Sequence, residues 1–245
     1  MDPRDRPGTR EFATTHWSVV IAAGGDEGES TSQARERLCS EYWLPLYAYV
    51  RRRGYSQADA EDLTQEFLSR LVASGDLGNA DPRRGRFRVW LLGCLRHLMA
   101  NDWDRRQARK RGGGCTFVTF SGIAGAEDRY HSEFQGQPSA ERAFERSWAL
   151  ALIEGARRDL RLEYERRGWQ ERFELFERFL PGEDSALTQA EVGRRLGLSE
   201  GAVKAEVHRL KHRLGDLLRN RIAQTVEDPA EIDDELRALK LALSG

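Results

Sequence analysis

The sequence has few cysteines and no long apolar run. Its 245 residues include three cysteines, Cys39, Cys94 and Cys115, and no Cys-x-x-Cys pair. This argues against a disulfide framework or a zinc ribbon and favours a reducing compartment. No apolar stretch approaches the ~18 residues of a membrane-spanning helix, and the charged residues 1–10 lack the apolar segment of a secretory signal. We therefore expect a cytoplasmic protein without membrane insertion.

The motifs of common enzymes and metal sites are also missing. The sequence has no Gly-rich phosphate loop, no G-x-S-x-G elbow and no H-E-x-x-H pair. His208 and His212 stand four residues apart, a spacing that can bind a metal, but no third ligand lies near them in the sequence. An enzyme acting on nucleic acid would need a carboxylate or histidine cluster, and none is visible. We expect no catalytic residue, no metal and no cofactor.

Lysine is scarce, and the charge is unevenly distributed. Of 39 basic residues four are Lys and 35 are Arg, against 40 acidic residues, so the formal net charge is −1. Residues 83–111 carry a net charge of +8, residues 194–221 carry +5 and residues 226–245 carry −4. Two basic segments on opposite sides of a linker suggest two separate contacts with one polyanion.

Helical spacing of apolar residues dominates the chain. It predicts helices at about 33–53, 57–73, 87–109, from Ser139 onward, at 170–179, 188–196, 199–220 and 229–243. Pro45 predicts a kink or a break in the first helix, because proline lacks the N–H that the helix needs. The Gly- and Ser-rich residues 112–138 predict a linker.

The strongest motif lies near the C-terminus, at residues 187–204. Thr188 and Glu191 form a T-x-x-E capping box, Gly197 can take a left-handed turn, and Ser199 can cap the next helix. Cap, turn, second cap and apolar spacing together predict a helix-turn-helix, whose second helix would lie in the major groove of DNA. The outer face of that helix offers Glu200, Lys204, His208 and Lys211. The alternative is an ordinary helical hairpin with a solvated charged face.

An acidic motif and a basic aromatic motif precede it. Asp62, Gln65 and Glu66 share one helix face, which is either an acidic docking surface or a simple complement to the helix dipole. Thr64 lies within this motif and is a candidate phosphorylation site, since phosphate would add charge there. The segment from Phe87 to Arg106 interleaves Arg with aromatics, a pattern typical of binding to single-stranded bases. Trp90 could equally be a core residue.

These three motifs, in this order and separated by a linker, resemble an ECF-type (extracytoplasmic-function) RNA polymerase sigma factor. The specific pair is "DAEDLTQEF" and "LSEGAVKAEVHRLKHRL", with residues 38–111 similar to region 2 and residues 187–218 similar to region 4. The resemblance implies two all-α domains on a flexible connector. It also implies core RNA polymerase and promoter DNA as partners, and an anti-sigma factor or a kinase as a possible regulator.

The resemblance assigns roles by position. Core polymerase would dock on Asp62, Gln65 and Glu66. The minus-ten element would contact Phe87, Arg88, Trp90, His97, Asn101, Arg105 and Arg106. The minus-thirty-five element would contact Ser199, Glu200, Lys204, His208, Arg209 and Lys211. His97 and Glu206 depart from the residues common in the family, which leaves the promoter sequence undetermined.

The chain exceeds a minimal member of that family. We expect an N-terminal extension at 1–31, a region-2-like domain at 32–111, a linker at 112–138, a helical region with the region-4-like domain at 139–225, and an acidic helix at 226–245. The apolar stripe of the last helix would either complete the region-4 core or rest on the recognition helix and compete with DNA. The competing function is a free-standing helix-turn-helix regulator that binds operators without polymerase.

Overall fold

The computed structural model describes residues 17–25, 28–81, 85–108, 125–183, 187–223, 226 and 228–244, without the side chains of 17–19 and 101–108. Within these residues every regular element is helical and no strand occurs, which confirms the predicted all-α class. No helix in this part of the chain is long and apolar enough to cross a bilayer. The α-helices are α1 Trp17–Ala23, α2 Glu29–Arg52, α3 Gln57–Ala73, α4 Phe87–Ala108, α5 Ala126–Arg129, α6 Ala140–Arg166, α7 Gln170–Phe176, α8 Gln189–Leu196, α9 Glu200–Ala223 and α10 Ile232–Leu243.

Helices α2 and α3 form where the apolar pattern places them. Helix α2 continues through Pro45 to Arg52, so the predicted break is absent; the helix tolerates one missing N–H because its surroundings bury it on several sides. Helix α3 has the predicted bounds, and the Ser56 hydroxyl accepts a hydrogen bond from the Asp59 N–H at 3.2 Å as the expected N-cap. Local signals are thus sufficient for α3, whereas the continuity of α2 through Pro45 depends on its surroundings.

A first core joins the two ends of the chain. It contains the apolar faces of α1 to α4, the first half of α6, and single residues from α9 and α10, namely Ile222, Leu239 and Ala242. Cys39 lies within it, and burial raises the pKa of its thiol to about 12, as expected for a core thiol and not a nucleophile. The N-terminal extension contributes α1, whose Val20 and Ala23 are buried in the same core.

The C-terminal part of the predicted linker is folded. Helix α5 runs on through a π-helical turn at Tyr130–Phe134, and Tyr130 and Phe134 are buried. Glu127 accepts hydrogen bonds from the Arg51 guanidinium, at 2.6 and 3.0 Å, and from the Tyr47 hydroxyl. Burial opposes ionisation, but these bonds hold the pKa of Glu127 below its usual value. The linker prediction is thus wrong for this stretch, because long-range contacts compensate for its weak local pattern; residues 112–124 lie outside the described residues.

A second core contains the helix-turn-helix. It is formed by the second half of α6, by α7, by Val192 of α8 and by the inner face of α9. Helices α6 and α9 each contribute to both cores, so no helix boundary separates the two. Arg221 near the end of α9 is buried and ion-paired with Asp159 of α6 at 2.8 Å, which fixes the crossing of these two helices.

The acidic tail helix differs from both expectations. Helix α10 packs on α6 and on the C-terminal part of α9, and its buried residues Leu239 and Ala242 belong to the first core. It neither completes the second core nor rests on the recognition face of α9. The Arg146 guanidinium donates a hydrogen bond to the Leu243 carbonyl at 3.0 Å and so satisfies an otherwise unpaired group at its end.

Candidate nucleic-acid interface

The helix-turn-helix has the predicted local geometry. The Thr188 hydroxyl accepts from the Glu191 N–H at 3.2 Å, while the Glu191 carboxylate accepts from the Thr188 N–H at 2.7 Å. Gly197 ends α8 with φ = 66°, and the Ser199 hydroxyl accepts from the Ala202 N–H at 3.2 Å. Gly193 permits the tight turn, because a Cβ there would lie 2.6 Å from the Leu198 carbonyl oxygen. Caps and glycines together fix the angle between α8 and α9.

One face of α9 is open to solvent. Val203, Val207 and Leu210 face the second core. The predicted minus-thirty-five residues all lie on the exposed side: Ser199, Glu200, Lys204, His208, Arg209 and Lys211. The Arg209 guanidinium pairs with Glu206 at 2.6 Å, so part of the positive charge of this face is neutralised. The face can enter a groove without rearrangement.

Two histidines lie one turn apart on α9. The rings of His208 and His212 meet edge to face, with centroids 4.6 Å apart. Among the described residues no group of three His, Cys, Asp or Glu side chains is placed to hold a metal. His208 therefore belongs to the exposed basic face.

The acidic motif forms a surface on α3. Asp62 is exposed, Gln65 and Glu66 are half-buried beside it, and Glu66 pairs with Arg70 one turn later. The opposite side of the helix, with Leu63 and Phe67, packs into the first core. The three predicted docking residues thus share one accessible face.

Thr64 faces inward. Its side chain is fully buried, and within the described part of the chain its hydroxyl oxygen has no hydrogen-bond partner. A kinase cannot reach this hydroxyl in the present conformation. Phosphorylation at Thr64 would require α3 to move first.

The basic aromatic segment begins inside the protein. Phe87 is buried and packs edge to face against Tyr42, with centroids 5.4 Å apart, and it stacks on the Trp90 ring, with centroids 5.5 Å apart. Arg88 is 3% exposed, although sequence reasoning placed it on a DNA-facing surface. The segment is covered because α6 and α10 pack over the start of α4.

Arg88 is surrounded by protein partners. Its guanidinium hydrogen-bonds Glu145 of α6 at 3.0 and 3.3 Å, contacts Glu235 of α10, and lies 4.0 Å from the centroid of the Trp148 ring. Sequence reasoning missed Glu235, because it is one of six acidic residues in the tail and carries no distinguishing local signal.

The rest of the segment lines an open groove. A cavity of about 660 Å³ lies between α3 and α4, with Trp90, His97 and Cys94 on one side and Asp76 and Asn79 on the other. An aromatic ring beside polar groups can hold a flat base. Asn101, Arg105 and Arg106 continue along α4, but their side chains lie outside the described residues.

Comparison with known proteins shows what the chain is similar to. A family model for sigma-70 region 2 matches residues 38–109, which span most of α2 and all of α3 and α4. Over 228 residues the chain is 25% identical to "ECF RNA polymerase sigma factor SigE" of Mycolicibacterium smegmatis, an alignment that covers 93% of this chain and 74% of that protein. Residues 38–109 thus match a sigma-70 region 2, and over most of its length the chain is similar to an ECF-type sigma factor. No solved structure matches it.

The family assignment gives the surfaces a common context. Both likenesses support a sigma factor that directs transcription initiation. The matched region 2 lies within residues 32–111, whose bounds as a domain stay a prediction, and the helix-turn-helix lies beyond it. Sigma factors are initiation factors, and the conclusion that this chain performs no catalysis stays a prediction.

Proposed function

We propose that this sigma factor acts through three surfaces used in a fixed order. The acidic face of α3 docks on core RNA polymerase, the exposed face of α9 binds the upstream promoter element as duplex, and the segment from Phe87 to Arg106 opens and holds the downstream element. One observation supports this order above all. The first two surfaces are accessible, whereas the start of the third is buried.

The order follows from what each surface can reach. Duplex DNA and polymerase can bind the exposed faces without conformational change. Bases can stack on the third segment only after Phe87 and Arg88 are uncovered. Core polymerase thus acts before strand opening, and dependence on core polymerase supports a cytoplasmic site of action.

A charge reversal on α3 tests this proposal. Asp62→Lys combined with Glu66→Lys should abolish co-purification with core polymerase, because two repulsive contacts replace attractive ones, at a cost of several kcal/mol of binding (about 2–5). Both side chains are accessible, so the helical circular-dichroism spectrum should be unchanged. The same double variant should lose run-off transcription.

Glu171→Lys with Glu174→Lys provides the matched control. These two acidic residues lie on the exposed side of α7, and their reversal changes the net charge equally. The control should retain core binding. Equal loss of binding in both proteins would show that overall charge matters and not the α3 face.

Nanomolar, sequence-selective DNA binding by the protein alone would favour the operator-binding alternative.

Regulation by a second protein would use the same surfaces. An anti-sigma factor would have to cover the face of α3 or of α9, because these carry the accessible contacts. A kinase acting on Thr64 would need an opened chain, since the hydroxyl is buried. Phosphate incorporation into wild-type protein, and its loss in Thr64→Val, would identify that site.

A further inference from the structure

A buried carboxylate in the tail contacts the start of the strand-opening segment. Glu235 of α10 is fully buried, with one oxygen against Arg88 and the other against Arg86. The pairing joins residues 147 positions apart in sequence. Buried Glu and Arg side chains are rare in proteins unless they are paired, so this contact is a specific feature of the fold.

The contact uses the chemistry that a DNA phosphate would use. A guanidinium binds carboxylate and phosphate through the same donors and the same planar geometry. With Glu235, Glu145 and the Trp148 ring in place, Arg88 is 3% exposed and has no room for a phosphate oxygen. Glu235 and the DNA backbone therefore compete for the same arginines.

Helix α10 is held in place by further contacts. Leu239 and Ala242 are buried in the first core, and Arg146 of α6 binds the carbonyl of Leu243. Asp233 pairs with Arg219 of α9 at 2.6 Å. The helix thus bridges α6 and α9 to the start of α4, and separating these elements breaks the contact with Glu235.

We propose that α10 is an intramolecular lock whose Glu235 carboxylate occupies Arg86 and Arg88 in place of DNA phosphate. This inference rests on the proposed function, in that the segment beginning at Phe87 binds the downstream element. The lock keeps the free protein from binding DNA through region 2. It opens when core polymerase separates region 2 from α6, α9 and α10.

Glu235→Gln tests the lock in the full-length protein. This substitution removes the charge and keeps the shape, so the hold of α10 on the two arginines weakens. The probe is a random-sequence single-stranded 20-mer DNA, which reports phosphate contacts without requiring the promoter. Glu235→Gln should bind it at least tenfold more tightly than wild type, with a steeper loss of affinity as salt rises.

The matched control is Asp233→Asn. It removes one negative charge from the same helix. The Asp233 side chain, however, is 69% exposed and pairs with Arg219 of α9 and not with Arg86 or Arg88. Its affinity for the 20-mer should stay within about twofold of wild type. Adding Arg88→Ala to Glu235→Gln should abolish the gain. Equal affinity of the two single variants, or a gain that survives Arg88→Ala, overturns the lock.

Hydrogen exchange of the wild-type protein provides a second measurement that does not depend on any variant folding. Amides of α10 should be protected in the free protein and lose protection when core polymerase binds. Unchanged protection in the complex overturns the lock. Failure of the proposed docking on core polymerase would appear separately, as absence of any complex, and would leave the affinity ratio in the DNA assay unaffected.

Discussion

Single residues set the geometry of the helix-turn-helix. Gly193 lies where α8 passes closest to the turn, and the Leu198 carbonyl occupies the space that a side chain would need. Gly201, in the first turn of α9, has no atom within 4 Å of the corresponding position. Packing therefore requires a glycine at position 193, whereas position 201 has room for a side chain.

Gly193→Ala should destabilise the protein by about 1–3 kcal/mol, because the new methyl group meets backbone that cannot move independently. Thermal unfolding followed by circular dichroism measures this. Gly201→Ala is the control and should be neutral or stabilising by up to about 1 kcal/mol, since alanine restricts the unfolded chain. A Gly193→Ala protein with wild-type stability would contradict the close approach.

At the scale of elements, α9 has two functions in one helix. Its inner face holds the second core, and its outer face presents Lys204, His208 and Lys211 to solvent. The face is not uniformly basic, because Glu206 holds Arg209. The proposed contact with DNA would therefore rely on a few side chains in the first half of the helix.

Lys204→Ala with His208→Ala should weaken use of the upstream element about tenfold or more, since each lost contact to duplex DNA costs about 1–3 kcal/mol. Run-off transcription on duplex templates with and without that element measures the effect. Transcription from pre-melted templates should survive, because the proposed strand-opening segment lies in α4 and not in α9. Arg178→Ala removes an exposed cation outside α9 and should change neither result. Equal loss on duplex and pre-melted templates would contradict this division between α9 and α4.

At the scale of the whole molecule, the two cores are coupled. Phe144 in the first half of α6 is buried in the first core, and Leu160 in the second half is buried in the second. If one half of α6 unfolds, the other half loses its continuation and frays. Helix α9 also contributes residues to both cores. We therefore expect the free protein to unfold as one cooperative unit, although its resemblance to ECF-type sigma factors implies two domains.

Phe144→Ala and Leu160→Ala should each lower the same unfolding transition, by about 3–5 and 2–5 kcal/mol respectively. Denaturant unfolding followed by both tryptophan fluorescence and circular dichroism should give coincident curves for both variants. Leu162→Ala, at a side chain 40% exposed, should change stability by less than about 0.5 kcal/mol. Two separate transitions, each affected by one substitution, would show independent domains.

The sequence by itself determined the elements and the helix-turn-helix. The bounds of α3, the capping box at Thr188 and the left-handed Gly197 were predictable because each depends on contacts within about four residues. The accessible faces of α3 and α9 followed from the same periodicity. These features need no knowledge of the rest of the chain.

Tertiary structure alone decided which charges are covered. Arg88 lies among many arginines in its segment, and Glu235 lies among six acidic residues in the tail. Neither the local pattern nor a count of charges identifies them as a pair. The folded stretch after residue 125 depends in the same way on Glu127 meeting Arg51 and Tyr47 across the fold. A long-range contact depends on how the helices pack, and packing is a property of all surfaces together.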